Sequence, residues 1–230
     1  MTSTAIKLLL GAPVLLFAMV AHEYAHGYAA LKQGDDTAYQ LGRLSWNPLR
    51  HIDLWMTVIL PISMWFMSDG RMALGGAKPV PVDPRKYRHY RRGDIIVSLA
   101  GIAANLGIAV VLVPAIIGIG FLGRWLPMTS DTLSLVQVMF AYGIYFNLLL
   151  AVFNLLPLPP LDGSHVLKHL LPTRLAIGYV RVSRYGFLIL VAVLMFGSRV
   201  LSFWMTPAFW MNQFAVRLIS PHILISPWTS

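Results

Sequence analysis

The stretch "DIIVSLAGIAANLGIAVVLVPAIIGIGFL", residues 94–122, decides the fold, because it runs for 29 residues with a single charged side chain, Asp94, at its start. A membrane-spanning helix needs about 20 consecutive, mostly apolar residues. Of the 230 residues in the chain, 57% are hydrophobic and 12% are charged. An ordinary soluble domain carries about 25% charged residues. The sequence therefore predicts an all-α polytopic membrane protein, in which the lipid bilayer is an obligate partner.

Three further apolar runs are long enough to cross a bilayer, and they cover residues 5–31, 132–156 and 185–205. Residues 207–225 mix aromatic and polar side chains, which is typical of a helix lying in the membrane interface. These runs predict about 4–5 transmembrane helices and an interfacial C-terminal helix. The prediction is a single membrane-embedded domain over residues 1–230, with a core of about 5–205.

Residues 52–67 form an apolar run of only 16 residues with Pro61 inside it. That length is short for a span and typical of a re-entrant segment. The following loop, "SDGRMALGGAKPVPVDPRKYRHYRRG", is rich in glycine, proline and basic residues, and its Pro-Val-Pro-Val run favours extended backbone. We therefore predict a re-entrant or extended segment between the first two long helices.

The chain contains no cysteine, which excludes a disulfide framework, a thiolate metal site and a cysteine nucleophile. Its net charge of +9 is carried by basic residues that lie between the apolar runs. Such residues set the topology of membrane proteins, and we therefore predict no nucleic-acid partner.

Ionisable residues inside the first apolar run indicate a functional site. In "HEYAH", His22 and His26 are four residues apart, so on a helix both imidazoles project from one face and can reach one zinc ion. Glu23 lies beside the first histidine, where it can act as a general base on a zinc-polarised water molecule. Gly27 and Ala30 are small enough to let another helix or a substrate strand approach this face.

Asp162, in "FNLLPLPPLDGSHVL", is a candidate third ligand. A catalytic zinc site uses three protein ligands and an open position, and a chain without cysteine can supply a carboxylate. Spacing alone leaves an alternative open, in which Asp162 caps the next helix. His165 and His169 are also four residues apart and form a rival ligand pair, although no glutamate lies beside them.

The positive-inside rule tests whether these ligands can lie at the same depth in the membrane. If residues 52–67 dip into the membrane and return, residues 32–93 and 157–184 face the same side, which then holds 14 of the 18 Lys and Arg residues. A full span over 52–67 would place the two sets of ligands near opposite faces of the membrane. It would also divide the Lys and Arg residues 12 to 6 between the two sides. The re-entrant arrangement therefore places the site near the cytoplasmic side.

Together these motifs resemble the site-2 protease family of intramembrane zinc metalloproteases, over about residues 10–195. "HEYAH" resembles the zinc-binding helix of the family, and "FNLLPLPPLDG" resembles its second signature. The stretches "GGAKPVPVDPRKYR" and "RRGDIIVSLAGIAANL" are similar to those that lead into the next core helix in small prokaryotic members. Two positions depart from the usual pattern: Ile102 replaces a proline after "AG", and Leu161 precedes the aspartate.

The resemblance implies a zinc endopeptidase that cleaves peptide bonds in or near transmembrane segments of membrane proteins, in a prokaryotic inner membrane. It implies one zinc ion per chain, bound by His22, His26 and Asp162, and a catalytic base at Glu23. Asn105 and Asn154 match polar positions that the resemblance associates with substrate binding, and with the four residues above they complete the candidate site. A non-proteolytic metal-binding scaffold and a small ion transporter are the alternatives, although a scaffold needs no general base and the chain has no repeat halves.

Overall fold

A computed structural model describes residues 3–59, 63 and 76–225, and in these ranges the regular structure is entirely helical. Long apolar runs form helices in a bilayer because a helix satisfies its own backbone hydrogen bonds. The α-helices, numbered in chain order, are α1 (Ser3–Gln33), α2 (Thr37–Gln40), α3 (Tyr90–Trp125), α4 (Ser130–Asn154), α5 (Asp162–Leu170), α6 (Thr173–Ser183), α7 (Gly186–Phe196) and α8 (Ser198–Ile219).

Three of the predicted spans are confirmed as long apolar helices. The candidate spans cover Leu9–Gln33 within α1, Tyr90–Trp125 (α3) and Pro127–Asn154, which contains α4. A fourth candidate exists if α6 and α7, which meet at an angle of 79°, are taken as one bent span. The chain is therefore a polytopic helical membrane protein with three or four candidate crossings among the described residues.

The prediction of one continuous helix over residues 185–205 is wrong. The chain turns at Gly197, so α7 ends at Phe196 after 11 residues and α8 begins at Ser198. The predicted start of the C-terminal helix at Pro207 is wrong for the same reason, because Pro207 lies inside α8. The C-terminal segment is helical as predicted, but its helix ends at Ile219.

The chain divides into two compact units, Met19–Gly101 and a second unit made of Met1–Ala18 and Ile102–Ser230. The core of the second unit brings α3, α4 and α8 together through six buried residues: Ala109, Ile116, Ile144, Leu148, Ala215 and Ile219. The smaller core of the first unit joins Ala30 of α1 to Tyr87 and to Val97 of α3.

Much of the predicted re-entrant segment, residues 60–62 and 64–67, lies outside the described residues. The described part contains a π-helix at Leu54–Ile59. The Pro-Val-Pro-Val run, predicted as extended backbone and a candidate edge strand, is not a strand, since residues 76–83 form neither helix nor strand. Two short 3-10 helices, Pro48–His51 and Pro84–Lys86, lie in the same unit.

Candidate metal centre and catalytic carboxylate

The two histidines of "HEYAH" lie side by side on α1. His22 and His26 are buried, with 7% and 9% of their surfaces exposed, and their Nε2 atoms are 2.9 Å apart. The helical spacing of four residues produces this arrangement, because such residues stack one turn apart on one face. Zinc–nitrogen bonds are about 2.0–2.1 Å long, so both Nε2 atoms lie within reach of one ion.

A carbonyl group on α3 orients the second imidazole. The Nδ1 atom of His26 lies 2.7 Å from the backbone oxygen of Val97, so Nδ1–H donates to that oxygen. The proton then occupies Nδ1 and the lone pair of Nε2 is available to a metal. A hydrogen bond of this kind fixes the tautomer and the ring plane of a metal-binding histidine.

Gly101 of α3 leaves the space in which the two imidazoles lie. A Cβ atom at this position would be 2.5 Å from Nε2 of His26 and 2.6 Å from Cε1 of His22. Any other residue would displace one or both rings. The nitrogen donors, the tautomer and this glycine cradle therefore fit a bound zinc ion.

The carboxylate of Glu23 contacts the Pro-Val-Pro-Val run. The backbone N–H of Val80 donates to Oε2 of Glu23 at 2.7 Å. This approach depends on Gly27, where a Cβ atom would be 2.9 Å from Cγ1 of Val80. We predicted another helix or a substrate strand at this face; at Gly27 the structure instead places the Pro-Val-Pro-Val run of the same chain, which forms neither helix nor strand.

Hydrogen bonds on both sides of Val80 hold this run in place. The backbone N–H of Lys78 donates to the carbonyl of His51 at 2.7 Å. The backbone N–H of Asp83 donates to Oδ2 of Asp35 at 2.6 Å, and Asp35 is fully buried. The amide that meets Glu23 therefore comes from a backbone that is anchored before and after it.

The electrostatics of this loop favour ionised carboxylates. The guanidinium of Arg85 and its backbone N–H lower the pKa of Asp83 to about 2. The ammonium group of Lys86 lowers the pKa of Asp36. Burial, followed by the neighbouring carboxylates, raises the pKa of Tyr87, so this phenol is neutral at physiological pH.

Asp162 lies in the other compact unit, as the first residue of α5. The alternative that it caps this helix is wrong, because Leu161 occupies the N-cap position. Leu161 is buried and packs in one cluster with Leu156 and Leu190. Gly163 follows, and a Cβ atom there would clash with the carbonyl oxygen of Leu155. Packing on both sides thus fixes the backbone that carries the half-buried carboxylate.

Asn105, a predicted substrate-binding residue, is fully buried in the second unit. Its amide donates to Oδ1 of Asn147 at 2.7 Å and to the carbonyl of Ala18 at 3.2 Å, which ties α3 to α4 and α1. Asn154 is half-buried, and its amide donates to the carbonyl of Leu150 at 3.0 Å. The substrate roles of Asn105 and Asn154 stay predictions.

The buried asparagine pair leads to a prediction about stability. Asn105→Ala and Asn147→Ala should each destabilise the protein by about 1 kcal/mol, because each leaves a buried amide without its partner. The stability lost in the double variant should be smaller than the sum of the two single losses, since both substitutions remove the same hydrogen bond. Unfolding of the four proteins in the same detergent measures the coupling, and strictly additive losses would contradict it.

Sequence reasoning missed two residues of the site. Val80 is 57 positions from Glu23 along the chain, and no local pattern links the two. Gly101 was noted only as part of "AG", although it makes room for both imidazoles. The sequence did contain one indication of the role of Val80, which lies between Pro79 and Pro81. Proline has no backbone N–H, so this pattern predicts an extended backbone with few free N–H donors.

Comparison with known proteins identifies relatives of this chain. The profile of Peptidase family M50 matches residues 127–197, which include Asp162. A Bacillus subtilis protein named "Putative zinc metalloprotease YwhC" is 33% identical over 189 residues, which cover 81% of each chain. "Putative zinc metalloprotease Rip2" of Mycolicibacterium smegmatis is 32% identical over 187 residues, 78% of this chain and 64% of that protein.

No solved structure matches the chain significantly. The family profile and the long match to a zinc metalloprotease, together with the apolar helices, all describe a membrane-embedded metalloprotease. The chain belongs to peptidase family M50, the site-2 protease family.

Proposed function

We propose that the protein is an intramembrane zinc endopeptidase that hydrolyses peptide bonds in or near transmembrane segments of other membrane proteins. The observation that carries this proposal is the "HEYAH" motif on a long apolar helix, with two buried imidazoles whose Nε2 atoms lie 2.9 Å apart. Ionisable groups within membrane helices are costly and generally functional. A peptidase motif at this position explains why the helix carries these ionisable groups.

We propose that His22, His26 and Asp162 bind one zinc ion. Two imidazoles and one carboxylate are an established ligand set for a catalytic zinc, with one position left for water or substrate. Two observations support the third ligand: the family match includes Asp162, and packing around Leu161 and Gly163 fixes its backbone. Bound zinc supplies a Lewis acid that lowers the pKa of a coordinated water towards about 7 and polarises a carbonyl group.

Glu23 handles the proton in this mechanism. Its carboxylate accepts a proton from the attacking water and donates it to the leaving amine nitrogen, so that the base is restored when the peptide bond is broken. The Val80 amide holds Oε2 and leaves Oε1 as the proton acceptor. The carbonyl of Val97 keeps the His26 ring fixed while charge develops at the site.

The substrate must present an extended segment, because a helix hides its scissile amide in internal hydrogen bonds. The irregular run of residues 76–83 lies against Glu23 and exposes Lys78, Pro79 and Val82. We propose that an unwound substrate segment aligns along the exposed side chains of this run in an extended form like that of β-augmentation. The basic residues between the apolar helices support a site near the cytoplasmic side of a bacterial inner membrane.

Metal removal tests the proposal. The purified chain is incubated with model transmembrane substrates before chelation, after chelation and after zinc is returned. We expect cleavage to be lost on chelation and restored by zinc, because Glu23 alone cannot activate water sufficiently. A chain that binds zinc stoichiometrically but cuts none of the substrates is a metal-binding scaffold, and that result would reject the peptidase proposal.

A further inference from the structure

A cavity of about 580 Å³ opens at the N-terminal end of α3, and its lining includes neither His22 nor His26. Its volume lies in the range of small-ligand sites. Cationic, aromatic and aliphatic side chains line it: His89, Tyr90, Arg91, Arg92, Ile95 and Ile96. The cavity therefore combines positive charge with apolar surface.

The charge around this cavity is only partly neutralised. Residues 85–92 contain five basic side chains. Arg85 pairs with Asp83 at 2.8 Å, and Lys86 lies 3.1 Å from a carboxylate oxygen of Asp36. Arg88 and Arg92 are exposed and form no ion pair with any carboxylate among the described residues. A net positive field thus remains at the opening.

The cavity also lies at the N-terminal end of a candidate membrane span, Tyr90–Trp125. The apolar stretch of the α3 span begins at Ile95, and Gly93 and Asp94 separate it from the two arginines. Tyr90 is 53% exposed, and tyrosine at such a boundary is typical of the aromatic belt of membrane proteins. The first backbone N–H groups of α3 add a positive potential at the same end.

We propose that this cavity binds an anionic phospholipid from the leaflet at the N-terminal end of α3. Arg91 and Arg92 contact the phosphate, since guanidinium groups bind phosphate oxygens through paired hydrogen bonds. Ile95 and Ile96 contact the beginning of an acyl chain. A free phosphate would use the cationic part alone, so the aliphatic wall favours a lipid.

Lipid binding to the full-length chain tests this proposal. The protein, in a zwitterionic detergent, is titrated with phosphatidylglycerol or with phosphatidylcholine of the same acyl chains, and bound lipid is counted by native mass spectrometry. We expect phosphatidylglycerol to bind at least about tenfold more tightly than phosphatidylcholine. In the Arg91→Gln/Arg92→Gln variant the two affinities should become similar, and Arg91→Lys/Arg92→Lys should keep most of the preference.

A matched control removes the same charge elsewhere. Arg174→Gln/Arg181→Gln neutralises two exposed arginines of α6, which do not line the cavity, and should leave the preference intact. Ile96→Glu gives a second variant that keeps both cavity arginines and should also lose the preference. The proposal is overturned if the Arg91→Gln/Arg92→Gln variant behaves like the wild type or if the control pair loses the preference equally. Binding of free glycerol phosphate as tightly as the lipid would also overturn it.

Discussion

Glu23→Gln is expected to lower the rate of peptide hydrolysis by about 10²- to 10⁴-fold, the range attributed to a positioned general base. Glutamine has the same shape and can still accept the Val80 N–H, which lies 2.7 Å from Oε2 in the wild type. It cannot accept the proton of the attacking water. The substitution therefore removes the chemistry while it leaves the contact with the Pro-Val-Pro-Val run in place.

The measurement is cleavage of one model transmembrane substrate under single-turnover conditions, with zinc content determined on the same samples. Zinc content should match the wild type, because Glu23 is not a proposed ligand. Asp131→Asn is a suitable control, since it neutralises an exposed carboxylate in the first turn of α4. Full activity in Glu23→Gln would show that another group acts as the base.

Gly101→Ala is expected to weaken zinc binding by at least about 100-fold. The added Cβ atom would be 2.5 Å from Nε2 of His26 and 2.7 Å from Nδ1 of His22, so the rings cannot keep their positions. Loss of a residue that only orients a metal ligand typically costs 10- to 100-fold in affinity, and displacement of both rings should exceed that range.

Gly107→Ala on the same helix is the matched control. A Cβ atom at Gly107 would meet no heavy atom within 4 Å, so the same chemical change should leave zinc affinity unaltered. Competition with a zinc-binding indicator measures both variants. Equal affinities for Gly101→Ala and the wild type would mean that the imidazole pair lies elsewhere when the metal is bound.

Sequence patterns predicted the features that are determined by residues close together in the chain. Residues 94–122 predicted a membrane helix because composition alone distinguishes lipid-buried segments. The spacing of His22 and His26 predicted a shared face because helical periodicity places residues four apart together. The break at Gly197 was missed, since an isolated glycine inside an apolar run does not by itself end a helix.

Contacts between distant parts of the chain were not predictable in this way. The bond between Val80 and Glu23, and the close approach of Gly101 to both histidines, arise from tertiary packing. The hydrogen bond from Asn105 to Asn147 joins residues 42 positions apart, although each was visible as a polar residue in an apolar run. A polar residue in a membrane helix therefore indicates that a polar contact forms there, but the sequence does not identify its partner.

The central claim is that one zinc ion is held by His22, His26 and Asp162. The most direct test is zinc stoichiometry, by elemental analysis, in the wild type, Asp162→Ala and His165→Ala. His165 is a potential ligand on the same helix as Asp162 and provides the matched control. We predict one zinc per chain in the wild type and in His165→Ala, and little or none in Asp162→Ala. Retention of one tightly bound zinc by Asp162→Ala would contradict the account.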